Sequence, residues 1–406
     1  MERIEFILLR YIIVFLLCLT LLPAPAAAQE TPPDLTAQAA VLLDARTGQW
    51  LYEKNPDQKM YPASTTKILT GLLALEKGDL SRVVTISEQA AATGEASIWL
   101  KKGEKLTLED LVWALLLNSA NDAAVAIAEE VAGSVPAFVD LMNRKARALG
   151  ATNSHFANPH GLHNPGHYTT ARDLALIARA AMKNDTFCRM VGTKTHNIKR
   201  EDPDALKLLI NHNDLLWRYE YTTGIKTGYT TQAGTCLVSS AEKEGRRLIA
   251  VVLNSQGPQV WTDAMKLLNY GFEAFQTVEV VRKGQQVMTL PVAGSKEEVP
   301  VVTGSSLSYT FPDAGYRQGV QWKMHLNPKL QAPVKEGQEV GGLTLFYQGR
   351  SIGEVPLVAA GEARAPATWY KWVLGMAGAL VIFRWVIRTT RRRRYRPRSD
   401  RGSGTR

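Results

Sequence analysis

The chain has 406 residues, enough for two or three domains, and an ordinary hydrophobic fraction of 45%. Its formal net charge of +10 is concentrated at one end, because residues 384–406 hold ten arginines and one acid, Asp400. That end contributes +9 (ten minus one), which leaves +1 for the rest of the chain. The charge distribution therefore argues against nucleic acid as a partner of the folded part.

The N-terminus has the three parts of a secretion signal. Arg3 and Arg10 form a short basic region, residues 11–23 are apolar, and small residues follow as far as a cleavage position after Ala28. A first membrane helix is the alternative, but the apolar run is short and ends in small residues. We expect residues 1–28 to be a signal peptide and the mature chain to be exported.

Residues 39–55 contain two apolar runs on either side of a turn at residues 44–48, which predicts a β-hairpin. The next stretch, "YPASTTKILTGLLALEKG" (residues 61–78), predicts a helix from Thr65 to a stop at Gly78. Such a helix is apolar on nearly all sides and belongs in a core. Yet Ser64 and Lys67 stand at its first turn, where a charged side chain is costly.

The spacing of this serine and lysine suggests a chemical reason. Lys67 follows Ser64 by three residues, so on a helix their side chains share a face. A serine hydroxyl is a poor nucleophile until a base takes its proton, and burial lowers the pKa of a lysine until it can be that base. S-x-x-K is a weak motif on its own, and a helix cap beside a solvated lysine is the alternative.

Helical patterns continue from about residue 65 to residue 185. Thr107 and Asp110 come close to a capping box at the start of one helix, and "NDAAVAIAEEVAG" and "SVPAFVDLMNRKARALG" predict two more. Ser119 and Asn121 lie in the break before the second of these helices. Two residues apart in an extended turn, they can face one cleft, although a loop cap is the structural alternative.

A run of four histidines follows, His155, His160, His163 and His167. Their spacing does not match a helical H-x-x-x-H zinc site, and no cysteine or acid accompanies them within the run. We expect loop histidines that make hydrogen bonds, and neither a metal nor another cofactor.

Strands return after residue 223. Lys226, Thr227 and Gly228 come ahead of two apolar β runs that flank a turn at Gly245, and a helix follows. A cation and a hydroxyl suit a carboxylate, and a glycine lets a peptide backbone approach an exposed strand edge. A solvated turn is the structural alternative. Strand, helices and strand again predict an α/β layer arrangement for residues 35–275.

Two cysteines remain in the exported chain, Cys188 and Cys236, both in apolar surroundings. Two cysteines do not make a disulfide framework. We expect two buried free thiols rather than a bridge.

Residues 277–360 change to short alternating strands separated by glycine and proline turns, which predicts a separate small all-β sandwich domain. Residues 368–388 are apolar except for Lys371 and Arg384 near the ends, and as a helix they span roughly 30 Å, one hydrocarbon core. The arginine-rich tail, residues 389–406, is then cytoplasmic by the positive-inside rule. We expect a single-pass membrane protein with everything upstream of this segment outside the cytoplasm. A buried core helix followed by a disordered basic tail is the alternative.

The three motifs in this order, Ser64–Lys67, Ser119–Asn121 and Lys226–Gly228, resemble those of penicillin-binding proteins and serine β-lactamases. The stretches "LLLNSANDAAVAIAE", "ANPHGL" and "GIKTGYTTQAGTCLVSSA" are closer still to the low-molecular-mass D-alanyl-D-alanine carboxypeptidases. This resemblance implies a serine β-lactamase/transpeptidase-like α+β catalytic domain, with a central antiparallel sheet and a helical subdomain. A small β domain and a C-terminal membrane anchor fit the same layout.

The resemblance also implies roles for the motif residues. Ser64 is expected to be the acylated nucleophile and Lys67 the base for acylation. Ser119 would relay the proton toward the leaving group, while Asn121 would hold the substrate amide and Lys67. The backbone N–H groups of Ser64 and Tyr229 would form the oxyanion hole.

Lys226 and Thr227 would bind the terminal carboxylate of the substrate, with Gly228 leaving room for its backbone. Many relatives carry an arginine after the following strand as a further carboxylate contact. This chain has none between Asn254 and Lys266. Either Lys226 and Thr227 suffice, or another cation contributes.

The implied substrate is the D-Ala-D-Ala end of peptidoglycan stem peptides, and β-lactams are expected to acylate Ser64. An endopeptidase acting on cross-linked peptides remains an alternative. A β-lactamase would need a deacylating base, and the nearest acids, Asp202, Asp204 and Glu220, show no such motif. A β-lactam sensor without turnover is the alternative from a different class.

Overall fold

The computed structural model describes residues 31–312, 319–327, 330–365 and 369–394, and for residues 369 and 391–394 it describes the backbone alone. The predicted signal peptide and the end of the predicted tail, residues 395–406, lie outside the described residues. The chain divides into two compact units. One ends at Val278 and also includes the described residues 308–312, while the other holds Glu279–Leu307 and the chain from Gly319 onward.

A five-stranded antiparallel sheet forms the centre of the first unit. The strands of this unit are β1 (Ala39–Asp44), β2 (Trp50–Lys54), β3 (Val83–Thr85), β4 (Lys105–Thr107), β5 (Thr195–Asn197), β6 (Leu208–Ile210), β7 (Thr222–Thr230), β8 (Gly234–Lys243) and β9 (Arg246–Ser255). The central sheet has the order β2-β1-β9-β8-β7, while β3 pairs with β4 and β5 with β6. Strand β7 is therefore an edge strand.

Helices cover both faces of this sheet. They are α1 (Lys67–Lys77), α2 (Glu88–Ala91), α3 (Leu108–Leu117), α4 (Asn121–Ala132), α5 (Val135–Ala148), α6 (Ala171–Ala181), α7 (Asp185–Gly192), α8 (Leu215–Arg218) and α9 (Gln259–Glu273). Val41 and Leu43 of β1 belong to the core shared with α1 and α3–α7, whereas Leu42 belongs to the core shared with α9. Successive side chains of a strand point to opposite faces, which explains why β1 is apolar without alternation.

Several predicted local features are confirmed. Strands β1 and β2 form the predicted hairpin, and the carboxylate of Asp44 accepts hydrogen bonds from the N–H groups of Arg46 and Thr47 in its turn. Thr107 caps α3 by accepting a hydrogen bond from the N–H of Asp110. Strands β8 and β9 pair on either side of Gly245.

Helix α1 is completely buried from residue 67 to residue 74 and ends before Gly78, as predicted. Its start differs from the prediction, because the α-helix begins at Lys67 and not at Thr65. The residues before it, Ala63–Thr66, form a 3₁₀ turn. Side chains three residues apart eclipse one another in a 3₁₀ helix, which brings Ser64 and Lys67 into line.

The cysteines are unbridged, as predicted, but they differ in burial. Cys236 lies fully inside the sheet, and burial raises the pKa of its thiol to about 11. Cys188 is only half-buried on α7, so the prediction of two buried thiols is wrong for this residue. Its sulfur accepts a contact from Nη1 of Arg247 at 3.6 Å.

The second unit is rich in β structure, as predicted. The strands that follow α9 in the chain are β10 (Gln276–Val281), β11 (Gln286–Pro291), β12 (Glu298–Thr303), β13 (Leu307–Phe311), β14 (Val320–Leu326), β15 (Glu339–Tyr347) and β16 (Arg350–Ala359). All of β13 except Leu307 belongs to the first unit. Five of these strands form a sheet in the order β11-β12-β16-β15-β14, and β10 pairs with β13. Val299, Val301, Val355 and Leu357 form part of the core of the second unit.

The last described element is α10 (Trp369–Arg394). Its segment Tyr370–Thr390 is 21 residues long with a mean hydropathy of 1.4, and it is not buried against the rest of the described chain. By length and composition this segment is a candidate membrane span. The helix runs six residues beyond the predicted end at residue 388, because no proline or glycine interrupts the chain there.

Candidate active site

Lys67 is completely buried, and its side-chain nitrogen has three oxygen partners. Nζ lies 3.0 Å from Oγ of Ser64, 2.7 Å from Oδ1 of Asn121 and 2.7 Å from the carbonyl oxygen of His160. The first two motifs, separated by more than 50 residues in sequence, therefore meet at one nitrogen atom.

The surroundings of Lys67 favour the neutral form of its amine. Burial and, after it, the positive charge of Lys226 lower the pKa of Lys67 well below its ordinary value of 10.5. A neutral amine has two N–H bonds and one lone pair. The oxygens of Asn121 and His160 can only accept hydrogen bonds, so they take both N–H groups. In the neutral form the lone pair is left for the hydroxyl proton of Ser64, so the arrangement sets a base beside a serine hydroxyl.

Asn121 is held at both its backbone and its side chain. Its N–H donates to the carbonyl of Ala96 at 2.7 Å, and its Nδ2 donates to the carbonyl of Gly94 at 3.0 Å, which turns Oδ1 toward Lys67. The neighbouring carboxylate of Asp122 accepts hydrogen bonds from the Ser97 hydroxyl at 2.6 Å and from the N–H of Leu100 at 3.0 Å. These contacts fix the loop that orients Asn121, and no sequence pattern indicated them.

The third motif lies ahead of the strand pair β8 and β9, as predicted, and is itself part of edge strand β7. Gly228 faces Ser64: a Cβ atom there would be 2.9 Å from the backbone nitrogen of Ser64 and 3.0 Å from that of Thr65. Any side chain would push β7 away from these N–H groups. Glycine is required at this position because the edge of β7 touches the turn Ala63–Thr66.

The alternation of β7 distributes the remaining motif residues. Lys226 is 2% exposed, Thr227 is half-buried and Tyr229 is 67% exposed. Burial lowers the pKa of Lys226 to about 7. Among the described residues, the side chains of Lys226, Thr227 and Ser119 have no hydrogen-bond partner, so they are available to a ligand.

Ser119 lies between α3 and α4 with a left-handed backbone, at φ +60°, and is 5% exposed. The loop that holds Ser119 lies next to the segment between β6 and α8. The contact is a hydrogen bond from the N–H of His212 to the carbonyl of Leu117 at 3.2 Å.

The histidine run forms a loop beside α1, and three of its four side chains, those of His155, His160 and His167, make the predicted hydrogen bonds, whereas the exposed His163 ring packs on Tyr61. His155 Nδ1 lies 2.6 Å from the carbonyl of Gly166, and Nδ1 of His160 accepts from the N–H of Leu162 at 3.1 Å. Burial lowers the pKa of His160 to about 3, so its ring is neutral. The part that sequence reasoning missed is the main-chain carbonyl of His160, which binds Lys67.

Comparisons with known proteins agree with this geometry. The family model of the D-alanyl-D-alanine carboxypeptidases matches residues 26–257, more than half of the chain, and that of the penicillin-binding protein 5 C-terminal domain matches residues 275–364. This chain belongs to the D-alanyl-D-alanine carboxypeptidase family.

Individual members of the family are similar over most of their length. D-alanyl-D-alanine carboxypeptidase DacF of Bacillus subtilis is 35% identical over 363 residues, covering 87% of this chain and 93% of that protein. DacC of Escherichia coli is 35% identical over 354 residues, covering 83% and 87%. The crystal structure of penicillin-binding protein 5 from Haemophilus influenzae matches with a TM-score of 0.72 and 32% identity, covering 82% of this chain and 99% of that one.

The family confirms the predicted fold and enzyme class, a serine D-alanyl-D-alanine carboxypeptidase of the low-molecular-mass penicillin-binding type. Two of the acids named for the β-lactamase alternative lie in other surroundings. Asp202 pairs with the exposed Lys101, and Glu220 is exposed.

Proposed function

We propose that this carboxypeptidase releases the terminal D-alanine of peptidoglycan stem peptides through an acyl-enzyme on Ser64. The observation that carries the proposal is the triple contact of Lys67 Nζ, which leaves its lone pair facing the Ser64 hydroxyl. Lys67 takes the hydroxyl proton as Oγ attacks the carbonyl carbon of the penultimate D-alanine.

The remaining steps use the other motif residues. Ser119 passes the proton from Lys67 to the departing nitrogen as the C–N bond breaks and D-alanine leaves. Water then attacks the Ser64 ester, which releases the shortened peptide and restores the hydroxyl. The N–H groups of Ser64 and Tyr229 stabilise the negative oxygen of each tetrahedral intermediate. The nearness of Gly228 to Ser64 N supports this placement of the hole.

The substrate carboxylate is assigned to Lys226 and Thr227. Both lie on β7, directly beside the contact between Gly228 and the turn Ala63–Thr66, which we call the nucleophile turn. Neither side chain has a hydrogen-bond partner among the described residues. An extended peptide that adds to this strand edge would place its terminal carboxylate near these two groups. A β-lactam, whose carboxylate and strained amide present the same groups, is proposed to acylate Ser64.

A direct test is to incubate the full chain in detergent with a stem pentapeptide ending in D-Ala-D-Ala and to analyse the products. We expect one D-alanine for each tetrapeptide formed. A cross-linked peptide dimer serves as the second substrate, and its cleavage instead of the pentapeptide would establish an endopeptidase. Penicillin labelling without D-alanine release would establish a sensor and overturn the proposal.

The pKa of Lys226 predicts a pH dependence. Below about pH 7 this lysine carries the positive charge that a carboxylate needs, and above that pH it loses the charge. We therefore expect kcat/KM for the pentapeptide to fall above pH 7, by about tenfold per pH unit at most, mainly through KM. In Lys226→Met the activity should be low and this alkaline decline absent. An unchanged decline in the variant would assign it to another group.

We propose that α10 anchors the enzyme in the membrane once, with the catalytic unit outside and the arginine-rich end in the cytoplasm. Its apolar segment and the charge of residues 384–406 support this. Ending the chain after Ala363 should give a protein that is recovered in the soluble fraction and still hydrolyses the pentapeptide. Retention of that shortened protein in washed membranes would contradict the proposal.

A further inference from the structure

The residue before the nucleophile has an unusual backbone. Ala63 adopts φ +49° while 1% exposed, a left-handed conformation that residues with a Cβ atom rarely take. Such a conformation persists only where the surroundings impose it. Because Ala63 immediately precedes Ser64, whatever imposes this conformation also sets the direction of the Ser64 N–H and side chain.

Two glycines enclose Ala63. On one side, a Cβ atom at Gly161 would lie 1.9 Å from the carbonyl oxygen of Ala63, and Gly161 itself has φ +93°. On the other side, a Cβ atom at Gly228 would lie 3.1 Å from Cβ of Ala63. The nucleophile turn is thus held between the histidine-rich loop and β7, with no side chain from either glycine between them.

A chain of buried hydrogen bonds reaches the same carbonyl. The N–H of Ala157 donates to Nδ1 of His167 at 3.1 Å. Nε2 of His167 lies 2.9 Å from Oγ1 of Thr66, and Oγ1 of Thr66 donates to the carbonyl oxygen of Ala63 at 2.8 Å. His167 and Thr66 are 2% and 0% exposed.

The direction of this chain is determined by its ends. A backbone N–H can only donate, so Nδ1 of His167 is an acceptor and carries no proton. The ring proton is then on Nε2 and points to Thr66, whose own proton is left for Ala63. Burial, the largest cause, lowers the pKa of His167 to about 4, which agrees with a neutral ring.

We propose that His167 and Thr66 are positioning residues for the nucleophile: their hydrogen-bond relay holds the carbonyl of Ala63 in its left-handed conformation and so orients Ser64 toward Lys67. The inference rests on the proposed role of Ser64. The relay touches no substrate, and it acts through the backbone of the nucleophile turn.

The relay has a measurable consequence for acylation. When it is broken, the Ala63 carbonyl loses its hydroxyl partner, and the turn can relax toward an ordinary conformation. The Ser64 N–H and Oγ then move relative to Lys67 and to an incoming carbonyl. Displacements of about 1 Å at a reacting centre cost about 100-fold in rate, so we expect acylation to slow by about tenfold to 100-fold.

The experiment measures the second-order rate of acylation by a fluorescent penicillin, and the melting temperature, on the full chain in detergent. Thr66→Val removes the hydroxyl at nearly constant shape, whereas Thr66→Ser keeps it. Thr70→Val is the matched control, because Thr70 is buried four residues further along, on α1, and donates to the same loop, to the carbonyl of Pro159 at 2.6 Å, with no hydrogen bond to Ala63. We expect slow acylation in Thr66→Val, a rate close to wild type in Thr66→Ser, and a lowered melting temperature without loss of rate in Thr70→Val.

His167→Leu breaks the relay at its other member and should slow acylation as much as Thr66→Val does. Since both act through one chain, the double variant should be little slower than either single variant. Wild-type rates in Thr66→Val, equal losses in Thr66→Val and Thr70→Val, or multiplying losses in the double variant would each overturn the relay. Should His167→Leu fail to fold, the three threonine variants decide. Labelling of the wild type tests the proposed function separately.

Discussion

Replacing Ser64 with alanine is expected to abolish both covalent labelling by penicillin and release of D-alanine. The proposed acyl-enzyme needs an oxygen at this position, and the methyl group of alanine cannot form an ester. We expect a loss of about 10⁴-fold or more in kcat. Gel fluorescence after penicillin labelling and a D-alanine assay measure the two losses.

The same variant should remain folded, because Ser64 is half-buried in a 3₁₀ turn and its hydroxyl bonds to Lys67 alone among the described residues. Its melting temperature is compared with that of the wild type. Ser81→Ala, which changes an exposed serine in a turn, is the control and should label normally. A covalent adduct on folded Ser64→Ala protein would refute the assignment of the nucleophile.

Replacing Lys67 with arginine should be nearly as damaging, although lysine and arginine can carry the same positive charge. An arginine side chain keeps its proton at any pH at which the enzyme is folded, so it has no lone pair for the Ser64 hydroxyl. General base catalysis by a positioned side chain contributes about 10² to 10⁴-fold, and we expect a loss in that range in the acylation rate.

The control for this substitution lies on the same helix. Lys77→Arg makes the same chemical change at an exposed position at the end of α1 and should leave acylation unchanged. Since the Lys67 site is fully buried, Lys67→Met provides a second inactive variant without a larger charged group, and the melting temperatures of both are recorded. Activity of Lys67→Arg with an unchanged pH profile would mean that Lys67 acts by its charge and that another base serves Ser64.

The local elements and the motif residues could be predicted from the sequence alone. The hairpin at Asp44, the cap at Thr107 and the end of α1 at Gly78 follow from contacts between residues close in the chain, which leave a pattern of residue types. The pairing of Ser64 with Lys67 is also local, since the two residues are one turn apart. The long apolar segment of α10 is visible for the same reason, because its composition alone suffices.

How the site is enclosed and oriented depends on contacts between residues that are far apart in the chain. The carbonyl of His160 binds Lys67 from 93 positions away in sequence, and His167 reaches Thr66 from 101 positions away. Every residue has a backbone carbonyl, so its use as a ligand leaves no mark in the sequence. Gly228 could be expected at a strand edge, but that this edge touches the nitrogen of Ser64 depends on how the strand and the turn pack together. The motifs therefore indicate which groups are proposed to react, whereas the long-range packing around Ala63 and Lys67 sets the geometry of those groups.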